Sequence, residues 1–227
     1  MDSIMEFFRN LGSNIVMLMP QVIAGLKVTL EIFAITLILS IPLGIITAMG
    51  RRSKIKIINK ITSIYVLIMR GTPLLLQIVF IFFGLSIPSI GIVIDRFPAA
   101  ILAFVLNYGA YFGEIFRGGI ESIAIGQWEA AFTLGFNRIK TFLLIILPQV
   151  IKRALAAISN EVITLVRDTS LAQVIGISEL FSIAQKQANF KFSIIPLLVA
   201  GLIYLVISTV LTLIFKKIEI ELDYYRG

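Results

Sequence analysis

The residues of this chain that could do chemistry are few and of a narrow kind. Its 227 residues include no Cys and no His, which removes thiolate nucleophiles, soft metal sites, the commonest zinc ligand and the commonest general base at neutral pH. No paired carboxylates of catalytic spacing stand near a Ser, Thr or Lys nucleophile, and nothing marks a covalent mechanism. Lys140-Thr141 preceded by Gly135 superficially suggests a phosphate loop, but G-x-x-x-x-G-K-[ST] requires Gly immediately before the Lys, and Ile139 stands there. The sequence therefore predicts no internal nucleotide site and no enzyme. Two polar stripes survive this elimination. Asn107, Tyr108 and Tyr111 interrupt an apolar stretch, with Asn107 and Tyr111 four apart on one helical face. Asn160, Glu161, Thr164 and Asp168 recur at spacings of three or four and form a second stripe. Binding and conformational change are the remaining chemistry.

The elements that must position these residues follow from composition. Hydrophobic residues make up 58% of the chain and charged residues 15%, with a mean hydropathy of +0.99; a water-soluble domain is excluded and the bilayer becomes the solvent. Uncharged runs of 19, 24, 17 and 24 residues occupy 32–50, 71–94, 97–113 and 192–215. A run of 24 residues makes about 36 Å of helix against about 30 Å of hydrocarbon. The segment 141–166 is apolar except for Lys152-Arg153 and the second polar stripe. It cannot face lipid all round, and belongs inside the bundle. The expectation is an all-α integral membrane protein, a single transmembrane domain over 1–227. Its spans lie near 22–49, 61–86, 97–117, 141–167 and 192–215, with a loop over 118–140. Arg70-Gly71-Thr72-Pro73 should kink the second span, because Pro removes a backbone donor and Gly weakens the helix beside it.

Charge sets the orientation. The net +7 reports topology rather than nucleic acid: eleven cations lie in the first loop, the 117–140 segment and the C-terminal tail, against four on the opposite face. The excess assigns the first group to the cytoplasm and the N-terminus to the outside. Acidic Asp2 and Glu6 stand where a secretory leader would be basic, so no cleaved signal peptide is expected. Residues 1–19 read either as an interfacial amphipathic helix or as a frayed terminus. No internal repeat is evident.

The loop before the fourth span is the most informative segment. Gln127-Trp128-Glu129-Ala130-Ala131 is made of good helix formers, and Gly135 follows where a helix could stop and the chain turn back. A second helix then runs into Pro148, making a rigid knob. Glu129-Ala130-Ala131, three residues, Gly135, nine residues, Ile145, one residue and Leu147-Pro148 resembles the EAA loop of bacterial ABC importer permeases at each fixed position. Arg70-Gly71-Thr72-Pro73-Leu74, Glu114-Ile115-Phe116-Arg117-Gly118-Gly119, Gly126-Gln127-Trp128 and Arg167-Asp168-Thr169-Ser170-Leu171 add to the likeness. In this order they resemble the polar-amino-acid branch, which imports histidine, arginine, glutamine, glutamate or cystine.

The resemblance implies a type I ABC importer permease fold of five transmembrane helices in the bacterial inner membrane. It implies that Glu129, Ala130, Ala131 and Gly135 couple the chain to a separate ABC ATP-binding subunit dimer. On this reading Glu129 pairs with a cation in the partner's groove, the two Ala residues permit close approach and Gly135 permits the turn. The remaining implied partners are a second permease, identical or not, an extracytoplasmic substrate-binding protein, the amino-acid substrate and membrane lipid. The chain itself carries no cofactor or metal, since ATP and Mg belong to the partner subunit. Asn107 and Tyr111 on the third span, with Glu161, Thr164 and Asp168 on the fourth, are the expected substrate contacts: an amino acid cannot shed water in hydrocarbon unless polar groups replace it. The alternative is that Asn107 hydrogen-bonds a neighbouring helix and that Glu161 or Asp168 pairs with Arg70, Arg153 or Arg167. A self-contained channel or ion-coupled transporter is the competing function, although neither has use for a docking knob.

Overall fold

The structure is a computed structural model that describes residues 2–222, with side chains described from Met19 onward. Helix α1 runs Asp2–Arg51, α2 Lys56–Gly71, α3 Leu74–Val79, α4 Arg96–Glu121, α5 Ile125–Thr133, α6 Arg138–Thr141, α7 Leu147–Asp168, α8 Leu180–Lys191 and α9 Ile195–Leu222. The side chains that would place 1–18 on an interface lie outside the described residues. Among the described residues four helical segments are individually long and apolar enough to cross a membrane. The pair α2 and α3, with the π-turn Phe80–Gly84 that extends α3, supplies a fifth if it counts as one crossing, although it is bent by 109°.

Helix α4 sits at the centre, and its partners decide that question. Ideal Cβ atoms on Gly109 and Gly113 would meet Leu43 and Thr47, and Glu114 pairs with Arg51, so α1 and α4 advance side by side in the same direction. Two parallel crossings require the chain between them to return once, which makes the bent α2–α3 pair a broken span rather than a re-entrant loop. The close approach has a sequence cause. Gly113 admits Thr47 where any Cβ would stand 2.5 Å from its methyl carbon. Buried Thr36, Ser40 and Thr47 on α1 keep that interface narrow, whereas buried Thr29 accepts from Leu180 N of α8. Helix α7 runs antiparallel to α4, with Val150 and Ala154 over Gly119 at one end and Asp168 bonded to Tyr108 at the other.

One local feature differs from the sequence expectation. The second span does not merely kink at Pro73; it folds over by 109°. The helix that runs into Pro148 continues past it. It passes through a π-turn at Phe142–Ile146 and continues as α7, because a widened turn relieves the clash between the proline ring and the preceding turn's carbonyl. Helix α8 lies in the segment between the expected fourth and fifth spans. It is capped by Glu179, whose carboxylate accepts from Phe181 N at 2.7 Å and Ser182 N at 2.6 Å, and it packs Leu180 and Ala184 against Val22 of α1.

Candidate functional site

The break between α2 and α3 creates backbone groups that hydrocarbon cannot satisfy. Thr72 and Pro73 are extended, so the last carbonyls of α2 lose their helical partners. Two buried amides replace them. Gln77 Nε2 donates to Met69 O at 3.0 Å, Thr72 O at 3.1 Å and Thr72 Oγ1 at 2.8 Å. Asn107 Nδ2 donates to Met69 O at 2.9 Å and Gln77 Oε1 at 3.0 Å. Asn107 stands 11 residues into the 26-residue α4, about 16 Å along a helix of about 39 Å, so the break lies near the middle of the membrane. Asn107 is only 5% exposed and both its N–H donors are committed. The structure thus places this expected substrate contact inside the support of the broken helix. Gln77 carries only a weak sequence signal, as the one amide side chain in the uncharged run 71–94.

The other expected contacts form a polar wall in front of that support. Tyr108 donates its hydroxyl to Asp168 Oδ2 at 2.8 Å. Tyr111, three residues beyond Tyr108 on α4 with the two ring centroids 6.3 Å apart, carries the Arg70 guanidinium over its ring at 5.1 Å from the centroid. Glu161 is half-buried within electrostatic reach of both Arg70 and Asp168. Thr164 lies between the two carboxylates in sequence and accepts from Arg167 at 3.2 Å. Tyr111, Glu161 and Asp168 are therefore brought together with Arg70 and Tyr108, Thr164 is turned toward Arg167, and Asn107 stands behind. Two carboxylates and one guanidinium, all partly open, can replace the water around an ammonium and a carboxylate respectively.

Beneath the wall, Glu114 gathers three cations that the sequence reading left out of the site. Its carboxylate meets Arg51 Nε at 2.9 Å, Arg117 NH2 at 2.8 Å and Arg70 NH1 at 3.8 Å. Arg51 also reaches Ser63, and Arg117 also pairs with Glu121. One side chain, 13% exposed, thereby joins the ends of α1, α2 and α4. Arg70 is shared between this knot and the polar wall.

On the same side of the molecule as the C-termini of α1 and α4, α5 and its turn form the knob. Trp128 stacks on Phe142 with ring centroids 6.4 Å apart, over a small core of Ile123, Ile146 and Val150. Arg153 pins the approach by donating to Ser122 O. Gly135 has φ +82°, which explains why the turn takes glycine. Gly135 N donates to Phe132 O at 2.9 Å and Phe136 N to Ala131 O at 3.1 Å, closing the end of α5. Ala131 is 1% exposed and packs inward, so its small size serves the knob's own core; Glu129 and Ala130 point outward. Ile125 and Leu134, each 74% exposed, flank them. An apolar surface outside the spans, with a carboxylate on it, is the shape of a docking face.

A profile of the family described as "Binding-protein-dependent transport system inner membrane component" matches residues 40–222. The L-cystine transport system permease protein TcyB of Bacillus subtilis is 38% identical over 208 residues, 91% of this chain and 88% of that protein. The arginine transport system permease protein ArtQ of Bacillus subtilis is 38% identical over 204 residues, 89% of this chain and 93% of that protein. The glutamine transport system permease protein GlnP of Escherichia coli is 36% identical over 201 residues, 88% and 92% of the two chains. Among solved structures, a crystal structure of an amino acid ABC transporter with histidines superposes with a TM-score of 0.84 at 31% identity, covering 92% of this chain and 97% of that one. The MetNI methionine ABC transporter in an inward-facing form shares the fold, with a TM-score of 0.70 at 16% identity over 92% of this chain and 98% of that one. The spacing of the EAA loop, the knob it folds into and these matches converge: this chain belongs to the family of inner membrane components of binding-protein-dependent transport systems.

Proposed function

We propose that this chain is the permease subunit of an ATP-driven importer of polar amino acids in the bacterial inner membrane. The observation that carries the proposal is the folded, outward-facing EAA knob on a chain without a nucleotide site of its own. A knob of exposed Glu129, Ala130, Ile125 and Leu134 gives a separate ATP-binding subunit something to grip. Its stacked Trp128 and Phe142 pass that force directly into α7, which carries Glu161 and Asp168. Two ATP-binding subunits holding ATP and Mg, a second permease and an extracytoplasmic binding protein complete the machine. A self-contained channel is disfavoured, since it would leave this surface without a purpose.

In the membrane, the substrate's ammonium group is taken by Glu161 and Asp168 and its carboxylate by Arg70, with Tyr111 beside them. The wall is polar without being closely shaped, so most selectivity is left to the binding protein. The knob faces the cytoplasm and the N-terminus the outside. Reconstitution of the chain with its co-purifying subunits in proteoliposomes tests the proposal. ATP hydrolysis stimulated by a loaded binding protein, together with uptake of a labelled polar amino acid, is the expected result; uptake without any ATP-binding subunit would overturn it.

A further inference from the structure

We propose that the chain binds an anionic phospholipid in an apolar groove on the side of α4 away from the polar wall, with the lipid phosphate on Arg52. The groove holds about 610 Å³ between α1, α4 and α7 and is lined by Ile45, Ala48, Phe116, Ile151 and Ile158 among others. Arg52 is its one charged lining residue, and no carboxylate lines it among the described residues. Ile120 of the groove and Tyr111 of the polar wall are nine residues apart on α4, a rotation of about 180° at 100° per residue. On the proposed function, a second permease that closes the polar wall leaves this groove facing the bilayer.

The fit is chemical at both ends. The apolar walls accept an acyl chain, which a free phosphate lacks. Arg52 follows the last residue of α1 and is exposed, at the level where headgroups lie, and a guanidinium matches a phosphodiester through paired N–H donors. The groove continues past Arg52 and Ile120 into a surface cleft bearing Trp128, Arg138 and the carboxylates Glu121 and Glu129, of which Glu121 is paired with Arg117. A headgroup on Arg52 thus lies at the edge of the knob, with Arg52 as the one cation lining the groove.

Native mass spectrometry of the purified complex from nanodiscs of equal parts phosphatidylglycerol and phosphatidylcholine tests this. The wild type should retain phosphatidylglycerol over phosphatidylcholine by about fivefold, the preference one near-surface cation confers. Arg52→Gln should bring that ratio near one while the complex stays assembled. Ile45→Trp or Ile151→Trp, each filling the groove from a partly exposed position, should reduce retention of both lipids. Equal enrichment of phosphatidylglycerol in wild type and Arg52→Gln would overturn the proposal. So would disulfide capture of a second permease copy through cysteines at 45 and 151, which would make the groove a protein interface.

Discussion

At the scale of single residues, Asn107 and Asp168 look alike in the sequence and do different work in the fold. Both are polar groups on otherwise apolar helices. Asn107 spends its two N–H groups on Met69 O and Gln77 Oε1, whereas Asp168 accepts from Tyr108 through Oδ2 and in the proposed path offers its other oxygen to the substrate. Asn107→Leu should cost about 1–3 kcal/mol by leaving a buried acceptor without its donor. Thermal unfolding of the solubilised complex would register it as a lowered midpoint. Asp168→Asn preserves an oxygen for the Tyr108 hydroxyl and removes the charge, so the midpoint should hold. Its apparent affinity for the carried amino acid should fall about tenfold, the equivalent of one lost charged contact of about 1.4 kcal/mol. Uptake assays with unfolding run in parallel check both; equal behaviour of the two variants would erase the distinction drawn between support and wall.

At the scale of elements, the broken span and the knob each depend on a few groups acting together. Asn107 Nδ2 donates to Gln77 Oε1, so either truncation breaks the same bond and their costs should not add. In a Gln77→Leu, Asn107→Leu cycle the double variant should be less destabilised than the sum by about 0.5 kcal/mol or more, measured by denaturation of the complex. For the knob, the left-handed backbone of Gly135 separates strain from obstruction. Gly135→Asn, which tolerates that conformation, should retain substrate-stimulated ATP hydrolysis, and Gly135→Val, which does not, should lose most of it. The knob was legible in the sequence because its residues are contiguous and its spacing is rigid. The support of the break was not. Gln77 and Asn107 lie 30 positions apart, and nothing in either local pattern says that the helix before Gln77 will fold over and present bare carbonyls. The Glu114 knot hides for the same reason: Arg51, Arg70 and Glu114 come from three helices, and each alone reads as a cation or anion at a helix end.

At the scale of the whole molecule, the apolar runs make the number of crossings legible, while their mutual direction comes only from packing. The parallel pairing of α1 with α4 puts their C-termini, the knob and the Glu114 knot on one side. That side carries Arg51, Arg52, Lys54, Lys56, Lys60, Arg138 and Lys140 in and around its loops. Such a concentration of Lys and Arg resists translocation, and it supports the proposed placement of this face in the cytoplasm. Single cysteines test the assignment, and the fold selects the positions. Ala131 is buried and would stay unlabelled on either side, so Leu134, 74% exposed on the knob, is the sound inner probe. Val93, 82% exposed between the broken span and α4, is its outer counterpart. An impermeant maleimide added to intact cells should label Val93→Cys and leave Leu134→Cys untouched until the membrane is opened. The reverse pattern would invert the orientation and take the knob out of reach of any cytoplasmic ATP-binding subunit, while the fold, the polar wall and the broken span would stand unchanged.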